Sequence, residues 1–365
     1  GKAAAASRRN RVITDVFEPG STLKPLIVAS ALDQGVIQVE QEIFCEDGAI
    51  PIGKHVIRDA HPHGTLDIGG VIAKSSNIGA LKIGMELGAE QLHLALQQWG
   101  LGAKTGIALP GEVSGMLASP KRWSKARLAT ISFGQGVGVT GLQLAAAIAA
   151  IADQGRWRKP YLVSRVVAHD GSLRIENNGS EPRQVVRPEI ARAMAGMMEP
   201  VVQPGGTGIR AALPGIRVAG KTGTAQKVDP VAGGYSADKR ISSFVGFAPA
   251  EDPRAVVLVV VDEPRGATYG GVVAGPAFRE IMRSTLRNLG LNVATEAVAQ
   301  SAPAEPREGA VEASSELSAI SVRTPKVSSE EIDLDAMPDL RGLDARRAAA
   351  RLLAAGLELQ LEGRG

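Results

Sequence analysis

The sequence predicts an α+β fold in which an antiparallel sheet is flanked by helices, beside an all-helical subdomain. Three strand-like runs, at residues 216–225, 241–248 and 254–262, are separated by turn residues, which is typical of an antiparallel meander. An amphipathic pattern over residues 276–289 follows them and predicts a helix that packs on the sheet. Apolar residues recur at helical spacing over residues 26–35, 65–84 and 90–100, so helices are expected to dominate the first part of the chain.

Composition indicates a folded globular protein of one large domain or two ordinary ones. Of its 365 residues, 44% are hydrophobic and 22% are charged, which argues against disorder. The net charge of +3 is small and no basic stripe with interleaved aromatics is present, so nucleic-acid binding is not expected. A single cysteine, Cys45, excludes an intrachain disulfide. The longest apolar runs, 144–152 and 255–261, are too short to span a bilayer, so any membrane anchor is expected outside this chain.

A serine and a lysine three residues apart, Ser21 and Lys24, stand at the head of the first apolar run. On a helix they share one face, where a partly buried amine can lose its proton and then accept the proton of the serine. The helix N-terminus adds free N–H groups that suit a developing oxyanion. Pro25 opposes this arrangement, because it disfavours helical angles at Lys24 and cannot donate to the Ser21 carbonyl. Local rules therefore start the helix at Pro25, and a helical Ser21 turn is expected to need tertiary support.

A second polar pair, Ser75 and Asn77, interrupts the helical pattern of residues 65–84, where small polar side chains can project into a cleft. The preceding stretch, residues 36–64, is predicted as short strands and loop. It holds three histidines, His55, His61 and His63, without a cysteine or a third ligand at metal spacing. Solvated loop histidines are therefore the favoured interpretation, and no metal site is predicted.

Sequence patterns in the middle of the chain predict loops, turns, strands and helices, but no catalytic or phosphate-binding motif. Residues 107–120 are rich in Gly and Pro and are predicted as loop. The glycines of residues 132–136 predict a turn before a buried helix at 141–154, and no G-K-[ST] follows that would indicate a phosphate loop. Residues 161–168 alternate like a strand, and residues 188–199 are predicted as a helix with proline in its first turn.

The third polar element, Lys221 to Thr224, ends the first strand of the predicted sheet. On a strand, Lys221 and Gly223 face one way while Thr222 and Thr224 face the other. Because Gly223 has no side chain, a substrate backbone could lie along the strand. The two threonine hydroxyls and Lys221 would bind a carboxylate. The N–H groups of Thr224 and Ser21 would together form an oxyanion hole.

A competing element, Lys104-Thr105-Gly106, has the same three residue types. It follows helix-ending glycines and runs directly into residues 107–112, with no strand before it. A loop is the favoured interpretation of this segment.

In chain order, Ser21-x-x-Lys24, Ser75-x-Asn77 and Lys221-Thr222-Gly223 resemble the three motifs of the penicillin-recognising serine enzymes. The flanking sequences VFEPGST, KSSNIG, SFGQG and GKTGTA are similar to those of class B penicillin-binding proteins, closest to the cell-division type. The resemblance covers residues 10–290 and implies the transpeptidase fold that this family shares with β-lactamases.

The resemblance also implies a serine-type peptidoglycan D,D-transpeptidase of septal wall synthesis, with roles for named residues and no cofactor. Ser21 would attack the D-Ala-D-Ala carbonyl of a stem peptide, with Lys24 as general base. Ser75, helped by Lys221, would relay the proton to the leaving amine, and Asn77 would orient the donor amide. The terminal carboxylate would bind Thr222 and Thr224 beside Gly223. A diamino-acid side chain of a second stem peptide would accept the acyl group, and β-lactams would acylate Ser21.

Two tyrosines, Tyr235 and Tyr269, follow the third motif in regions that resemble the rim of the family's cleft. Either could stack on a substrate. Packing or plain surface is the favoured interpretation for each.

The chain is predicted to divide into a transpeptidase domain at 1–290, a flexible linker at 291–335 rich in Ala, Ser, Pro and Glu, and a partial PASTA-like module at 336–365. The family's domain begins well before its serine, so we expect a fragment that lacks N-terminal strands and has an unpaired sheet edge. The resemblance places the full-length parent at the periplasmic face of the bacterial inner membrane. There it would work with divisome proteins that include a glycosyltransferase.

Two alternatives remain open. A serine β-lactamase of class A would need a deacylating glutamate in a Glu-x-x-x-Asn pattern, but Glu112 is followed four residues later by Met116. The 144-residue separation between Asn77 and Lys221 also looks long for that class. The other alternative is a non-catalytic module that binds β-lactams or muropeptides, or an inactive fragment, since a sensor would retain the same motifs.

Overall fold

A three-stranded antiparallel sheet and nine α-helices form most of the computed structural model, which describes residues 9–168, 173–177, 179–228 and 234–293. The predicted linker at 291–335, apart from its first three residues, and the predicted PASTA-like module at 336–365 lie outside the described residues. Within the described ranges, none of the helices combines the length and the apolarity that crossing a membrane requires.

The helices are α1 (Arg11–Thr14), α2 (Lys24–Asp33), α3 (Ile68–Ala73), α4 (Asn77–Gln98), α5 (Lys125–Ile131), α6 (Gly141–Ala152), α7 (Pro188–Met198), α8 (Gly270–Val273) and α9 (Gly275–Asn288). The strands are β1 (Glu42–Phe44), β2 (Ala49–Ile52), β3 (His55–Arg58), β4 (Thr65–Asp67), β5 (Arg156–Trp157), β6 (Arg165–Val167), β7 (Leu173–Glu176), β8 (Arg183–Gln184), β9 (Ala219–Val228), β10 (Tyr235–Ala248) and β11 (Ala255–Asp262). A 3₁₀ helix, Gly20–Leu23, directly precedes α2, and we call it the Ser21 turn.

The main sheet has the strand order β11-β10-β9, and both pairings are antiparallel, which confirms the predicted meander. Helices cover its two faces. Phe278 of α9 packs on Phe244 of β10, with ring centroids 4.5 Å apart. Val245, the next residue of β10, faces the opposite side and pairs with Leu258, which lies near the start of α6. The predicted α+β arrangement of a flanked antiparallel sheet is therefore confirmed.

The helical part of the fold is built around α2, which is apolar on all sides and buried along nearly its whole length. It packs against α4 and α7, so the residues that follow Ser21 form the centre of the protein. Gly35 ends this helix in the left-handed region at φ 69°, as the sequence predicts. In α4, Gly88 has φ 74° and kinks the chain, which separates the two predicted helical stretches without a loop.

Two local predictions are wrong at their boundaries. The helix predicted from residue 65 begins at Ile68, because residues 65–67 pair with β1 and Asp67 caps α3. The strand predicted over residues 161–168 is reduced to Arg165–Val167, which pairs with β7. In both cases a short antiparallel pairing, which periodicity within one segment does not reveal, decides where the element ends.

Candidate active site

The Ser21 turn is helical in spite of Pro25. Lys24 has φ −54° and ψ −42°, and its backbone N–H donates to the Ser21 carbonyl. This i to i+3 bond of the 3₁₀ geometry replaces the α-helical bond that Pro25 cannot donate. The prediction that local rules start the helix at Pro25 is therefore wrong by one residue. The Ser21 turn begins earlier still, at Gly20.

Tertiary contacts hold the Ser21 turn from two sides. On one side the Gly20 N–H donates to the carbonyl of Gly134 at 3.0 Å, and a Cβ on Gly134 would overlap the carbonyl oxygen of Gly20. On the other side a Cβ on Gly223 of β9 would lie 2.9 Å from Cγ2 of Thr22. Gly134 is needed because two backbones approach closely there, whereas at Gly223 the side chains of Ser243 and Thr22 leave no room for a Cβ. The role of Gly134 was missed, since the glycines of residues 132–136 predict no more than a turn.

Lys24 is fully buried and its amine points at the second polar pair. Nζ donates to the Ser75 carbonyl at 2.5 Å and to Asn77 Oδ1 at 2.9 Å, and it lies 3.3 Å from Ser75 Oγ. Burial lowers the pKa of Lys24 to about 7, against the opposing influence of the charges of Asp59 and Cys45. A substantial fraction of this lysine is therefore neutral at neutral pH and able to accept a proton.

Ser75 stands between two buried lysines. Its Oγ accepts a hydrogen bond from Nζ of Lys221 at 2.8 Å and lies 3.3 Å from Nζ of Lys24. Burial lowers the pKa of Lys221 well below its usual value, and the nearby charge of Lys24 lowers it further. Ser75 itself has φ 61°, a strained conformation for a serine that its neighbours must maintain. The structure thus brings the three polar elements of the sequence together around one hydroxyl group.

Asp59 organises the second polar pair and was missed in the sequence. Its carboxylate accepts hydrogen bonds from the Ser76 hydroxyl at 2.6 Å and from the backbone N–H groups of Asn77 and Ile78 at 2.5 Å and 3.0 Å. These N–H groups begin α4, where a negative charge is favourable. No motif marks Asp59, which lies in the stretch predicted as strand and loop. Its contacts across 17 to 19 residues are visible only in the fold.

The side chains of β9 alternate as predicted. Lys221 and Gly223 face Ser75 and the Ser21 turn, whereas the hydroxyl of Thr222 lies 2.7 Å from Thr207 and that of Thr224 accepts from the Gly270 N–H. The expectation for Gly223 needs a correction, because the side chains of Ser243 and Thr22, rather than free space for a substrate backbone, occupy the side without a Cβ.

The two threonines of β9 differ in their access to solvent. Thr222 is buried, with 7% of its surface exposed, whereas Thr224 is exposed and lines the cleft in front of Ser21. Gly20 packs on Ala225 and Thr22 packs on Gly223, so Ser21 runs alongside Thr224. This placement suits the predicted oxyanion hole between the N–H groups of Ser21 and Thr224.

The cleft has a volume of about 420 Å³ and opens onto Ser21, Asn77 and Thr224. One wall is the hairpin of β2 and β3, the second is α5 with the turn at residues 133–135, and the third is β9. The two buried lysines lie behind this surface, where water is excluded and electrostatic effects are strong.

Tyr235 is linked by a hydrogen bond to Glu18, which lies just before the Ser21 turn and for which the sequence predicted no role. Its hydroxyl donates to Glu18 Oε2 at 2.9 Å, and the Gly136 N–H donates to Oε1 of the same residue at 2.9 Å. Burial raises the pKa of Glu18, while both hydrogen bonds oppose the rise. Tyr235 is 41% exposed. Tyr269 is 60% exposed and directly precedes Gly270, which donates to Thr224.

The competing element Lys104-Thr105-Gly106 is a loop, as expected. The buried carboxylate of Glu112 accepts from the N–H and hydroxyl of Thr105, at 2.7 Å and 2.6 Å, and from the Gly106 N–H at 3.0 Å. Glu112 is therefore engaged within its own loop and does not line the cleft. In the part of the chain that the structure describes, no cluster of His, Cys, Asp or Glu could hold a metal ion.

Curated relatives match most of the chain. It is 38% identical over 293 residues to the probable peptidoglycan D,D-transpeptidase PenA of Neisseria meningitidis, a match over 80% of this chain and 48% of that protein. It is 41% identical over 287 residues to the peptidoglycan D,D-transpeptidase FtsI of Escherichia coli, over 78% of this chain and 46% of that protein. The chain thus spans about half the length of these relatives.

Solved structures and a family model agree with these matches. The transpeptidase domain of Burkholderia pseudomallei penicillin-binding protein 3 superimposes with a TM-score of 0.71 at 40% identity, over 79% of this chain and 84% of that one. Residues 2–283 match the penicillin-binding protein transpeptidase domain. From the matched sequence and the convergence of its three motifs around Ser75, we conclude that the chain belongs to the penicillin-binding protein transpeptidase family.

Proposed function

We propose that this chain is the catalytic part of a peptidoglycan D,D-transpeptidase that works through an acyl-enzyme on Ser21. One observation carries the proposal. The Ser75 hydroxyl lies 2.8 Å from Nζ of Lys221 and 3.3 Å from Nζ of Lys24, directly behind the turn that presents Ser21. These contacts place one hydroxyl between two buried amines, which is the kind of arrangement that can accept a proton from a nucleophile and pass it to a leaving group.

Acylation begins when Ser21 Oγ attacks the carbonyl carbon between the two D-alanines of a stem peptide. The proton of Ser21 passes to neutral Lys24, and the N–H groups of Ser21 and Thr224 stabilise the oxyanion. The peptide C–N bond then breaks. Lys24 returns its proton through the Ser75 hydroxyl, which Lys221 positions, to the departing amine of D-alanine. The product is an ester between Ser21 and the shortened peptide.

Transfer completes the reaction. The side-chain amine of a second stem peptide attacks the ester carbonyl and forms the cross-linking amide bond. The proton of the amine goes to the Ser21 oxygen as that oxygen leaves, through the same lysine. Asn77 and the exposed Thr224 are proposed to position the donor, the first at its amide and the second at its carboxylate. Residues of this chain supply the nucleophile and carry every proton transfer, and the proposed reaction uses no cofactor.

A β-lactam is proposed to acylate Ser21 and to remain bound, since its ring mimics the D-Ala-D-Ala unit. The β-lactamase alternative requires a carboxylate that activates water beside the ester. Among the described residues that line the cleft there is no Asp or Glu, and the carboxylate of Glu112 is engaged in its own loop. This observation favours a long-lived acyl-enzyme.

Intact-mass measurement after incubation with benzylpenicillin tests the proposal, with Ser21→Ala as the control. A stable adduct of one drug molecule that is absent from the control is the expected result. An adduct that disappears within seconds would instead support a β-lactamase. If no adduct forms, the chain would be an inactive fragment and the proposed reaction would be wrong for it.

We further propose that the full-length parent works at the periplasmic face of the bacterial inner membrane during septal wall synthesis, with divisome proteins that include a glycosyltransferase. The resemblance of the motif-flanking sequences to the cell-division type supports this role. A fluorescent fusion of the parent should concentrate at the division site, and a uniform distribution around the cell would contradict it.

A further inference from the structure

The wall of the cleft formed by β2 and β3 is cationic. His55 and Arg58 of β3 line the cleft, and Lys54 occupies the turn between the two strands. No Asp or Glu occurs among the described residues that line the cleft. The nearest carboxylate in sequence, Asp59, is already engaged by Ser76 and the start of α4.

The guanidinium of Arg58 is available to a ligand. Arg58 is exposed, and within the described ranges its side chain forms neither an ion pair nor a hydrogen bond. Its backbone is nevertheless held in place, because the Arg58 carbonyl accepts a hydrogen bond from Nδ2 of Asn77 at 2.9 Å. The same Asn77 contacts Lys24 through its Oδ1. The backbone of Arg58 therefore lies next to Asn77, and both residues line the cleft in front of Ser21.

We infer that Arg58, assisted by His55, forms an anion subsite that binds a carboxylate on the acyl side of the D-Ala-D-Ala unit. An arginine offers paired donors that match the two oxygens of a carboxylate. The terminal carboxylate of the donor is assigned to β9, on another wall, so the subsite binds a second acidic group. The preferred donor would thus carry an acidic side chain on the residue that precedes D-Ala-D-Ala.

This inference rests on the proposed function, and a pair of β-lactams separates the two. Benzylpenicillin and carbenicillin differ by one carboxylate, which carbenicillin carries on the carbon next to the side-chain amide. The second-order rate constant of acylation of Ser21 is measured for both drugs by intact mass. The readout is the ratio of the two constants, which cancels any general loss of activity or folded protein.

Arg58→Gln is expected to lower the ratio of carbenicillin to benzylpenicillin by about fivefold, the effect of one partly exposed charge pair. Arg58→Lys should retain part of the ratio, because it keeps the charge but loses the paired donors. Arg192→Gln, an exposed arginine on α7 outside the cleft, is the matched control and should leave the ratio unchanged. Added salt should reduce the preference of the unaltered chain.

An unchanged ratio in Arg58→Gln would overturn the subsite while leaving the proposed function intact. An equal fall in Arg192→Gln would also overturn it, since the preference would then reflect overall charge. Failure of the unaltered chain to form an adduct with either drug would overturn the proposed function and the subsite together.

Discussion

Oδ1 of Asn77 lies 2.9 Å from Nζ of Lys24, although 53 residues separate them in the chain. The hydrogen-bond partners of this buried lysine, the Asn77 amide and the carbonyl and hydroxyl of Ser75, are therefore neutral groups rather than carboxylates. A carboxylate at this distance would hold the proton on Lys24, whereas an amide orients the amine with less effect on its charge. Burial lowers the pKa of Lys24 to about 7, although the charges of Asp59 and Cys45 oppose the fall, and this value suits a general base at neutral pH.

The first prediction concerns the pH dependence of acylation. Neutral Lys24 accepts the proton of Ser21, so the rate constant for benzylpenicillin should rise about tenfold per pH unit below pH 7 and level off above it. Rate constants between pH 5.5 and 9 provide the measurement. Lys24→Arg should be inactive throughout, since arginine remains protonated. A rate that falls as the pH increases from 6 to 8 would exclude Lys24 as the base.

The second prediction concerns Asp59→Asn. The substitution removes a carboxylate that accepts three hydrogen bonds, so we expect a loss of about 1–3 kcal/mol in the free energy of unfolding. The charge of Asp59 also raises the pKa of Lys24, so the rising limb of the acylation profile should move to lower pH. Denaturant unfolding and the pH profile measure the two effects.

The control for Asp59 is Asp47→Asn, which changes the same residue type at an exposed position shortly before β2. It should alter neither quantity. If Asp59→Asn moved the rising limb of the pH profile to higher pH, the conclusion that the charge of Asp59 raises the pKa of Lys24 would be wrong.

The third prediction compares two lysines with the same following residues. Lys221→Met removes the hydrogen bond to Ser75 and should lower the acylation rate about a hundredfold or more. Lys104→Met alters an exposed side chain in the loop of the competing element and should have no effect on the rate. Intact-mass assays on samples quenched at set times measure the acylation rates of both variants. Equal losses in the two variants would contradict the assignment of the third motif.

The fourth prediction compares two glycines in one turn. Gly134 and Gly136 have φ values of 87° and 82°, so alanine at either position costs about 1–2 kcal/mol in backbone strain. A Cβ on Gly134 would also overlap the Gly20 carbonyl, whereas the nearest atom to a Cβ on Gly136 is 3.6 Å away. Gly134→Ala should therefore destabilise the protein more and slow acylation more, because it displaces the Ser21 turn.

Thermal unfolding and benzylpenicillin acylation of both glycine variants provide the test. Equal effects of the two substitutions on stability and rate would mean that Gly134 does not hold the Ser21 turn.

Features that depend on one segment, or on neighbouring segments, were predictable. The strands β9, β10 and β11 follow from strand-like runs between turn signals, and α9 follows from its amphipathic pattern. The polar break at Ser75 and Asn77 is visible because two helical patterns stop and resume around it. In each case the signal is local, since a periodic pattern reports which face of a single element is buried.

The contacts that complete the site were not predictable in this way. Asp59 and Gly134 belong to no motif, and they act on α4 and on the Ser21 turn from distant positions in the chain. The helical conformation at Lys24 even opposes the local preference before Pro25. No periodic sequence pattern identifies these residues, because the way the elements pack determines which groups they contact.

The sequence by itself determined the elements of this protein, the order of its three polar motifs and the family that they resemble. Only the tertiary structure decided the distances among Lys24, Ser75 and Lys221, the burial that lowers the pKa values of both lysines, and the free arginine at the cleft wall. The physical reason is that propensity and periodicity act within a few residues. Desolvation and close contact, in contrast, depend on every element that packs around a group.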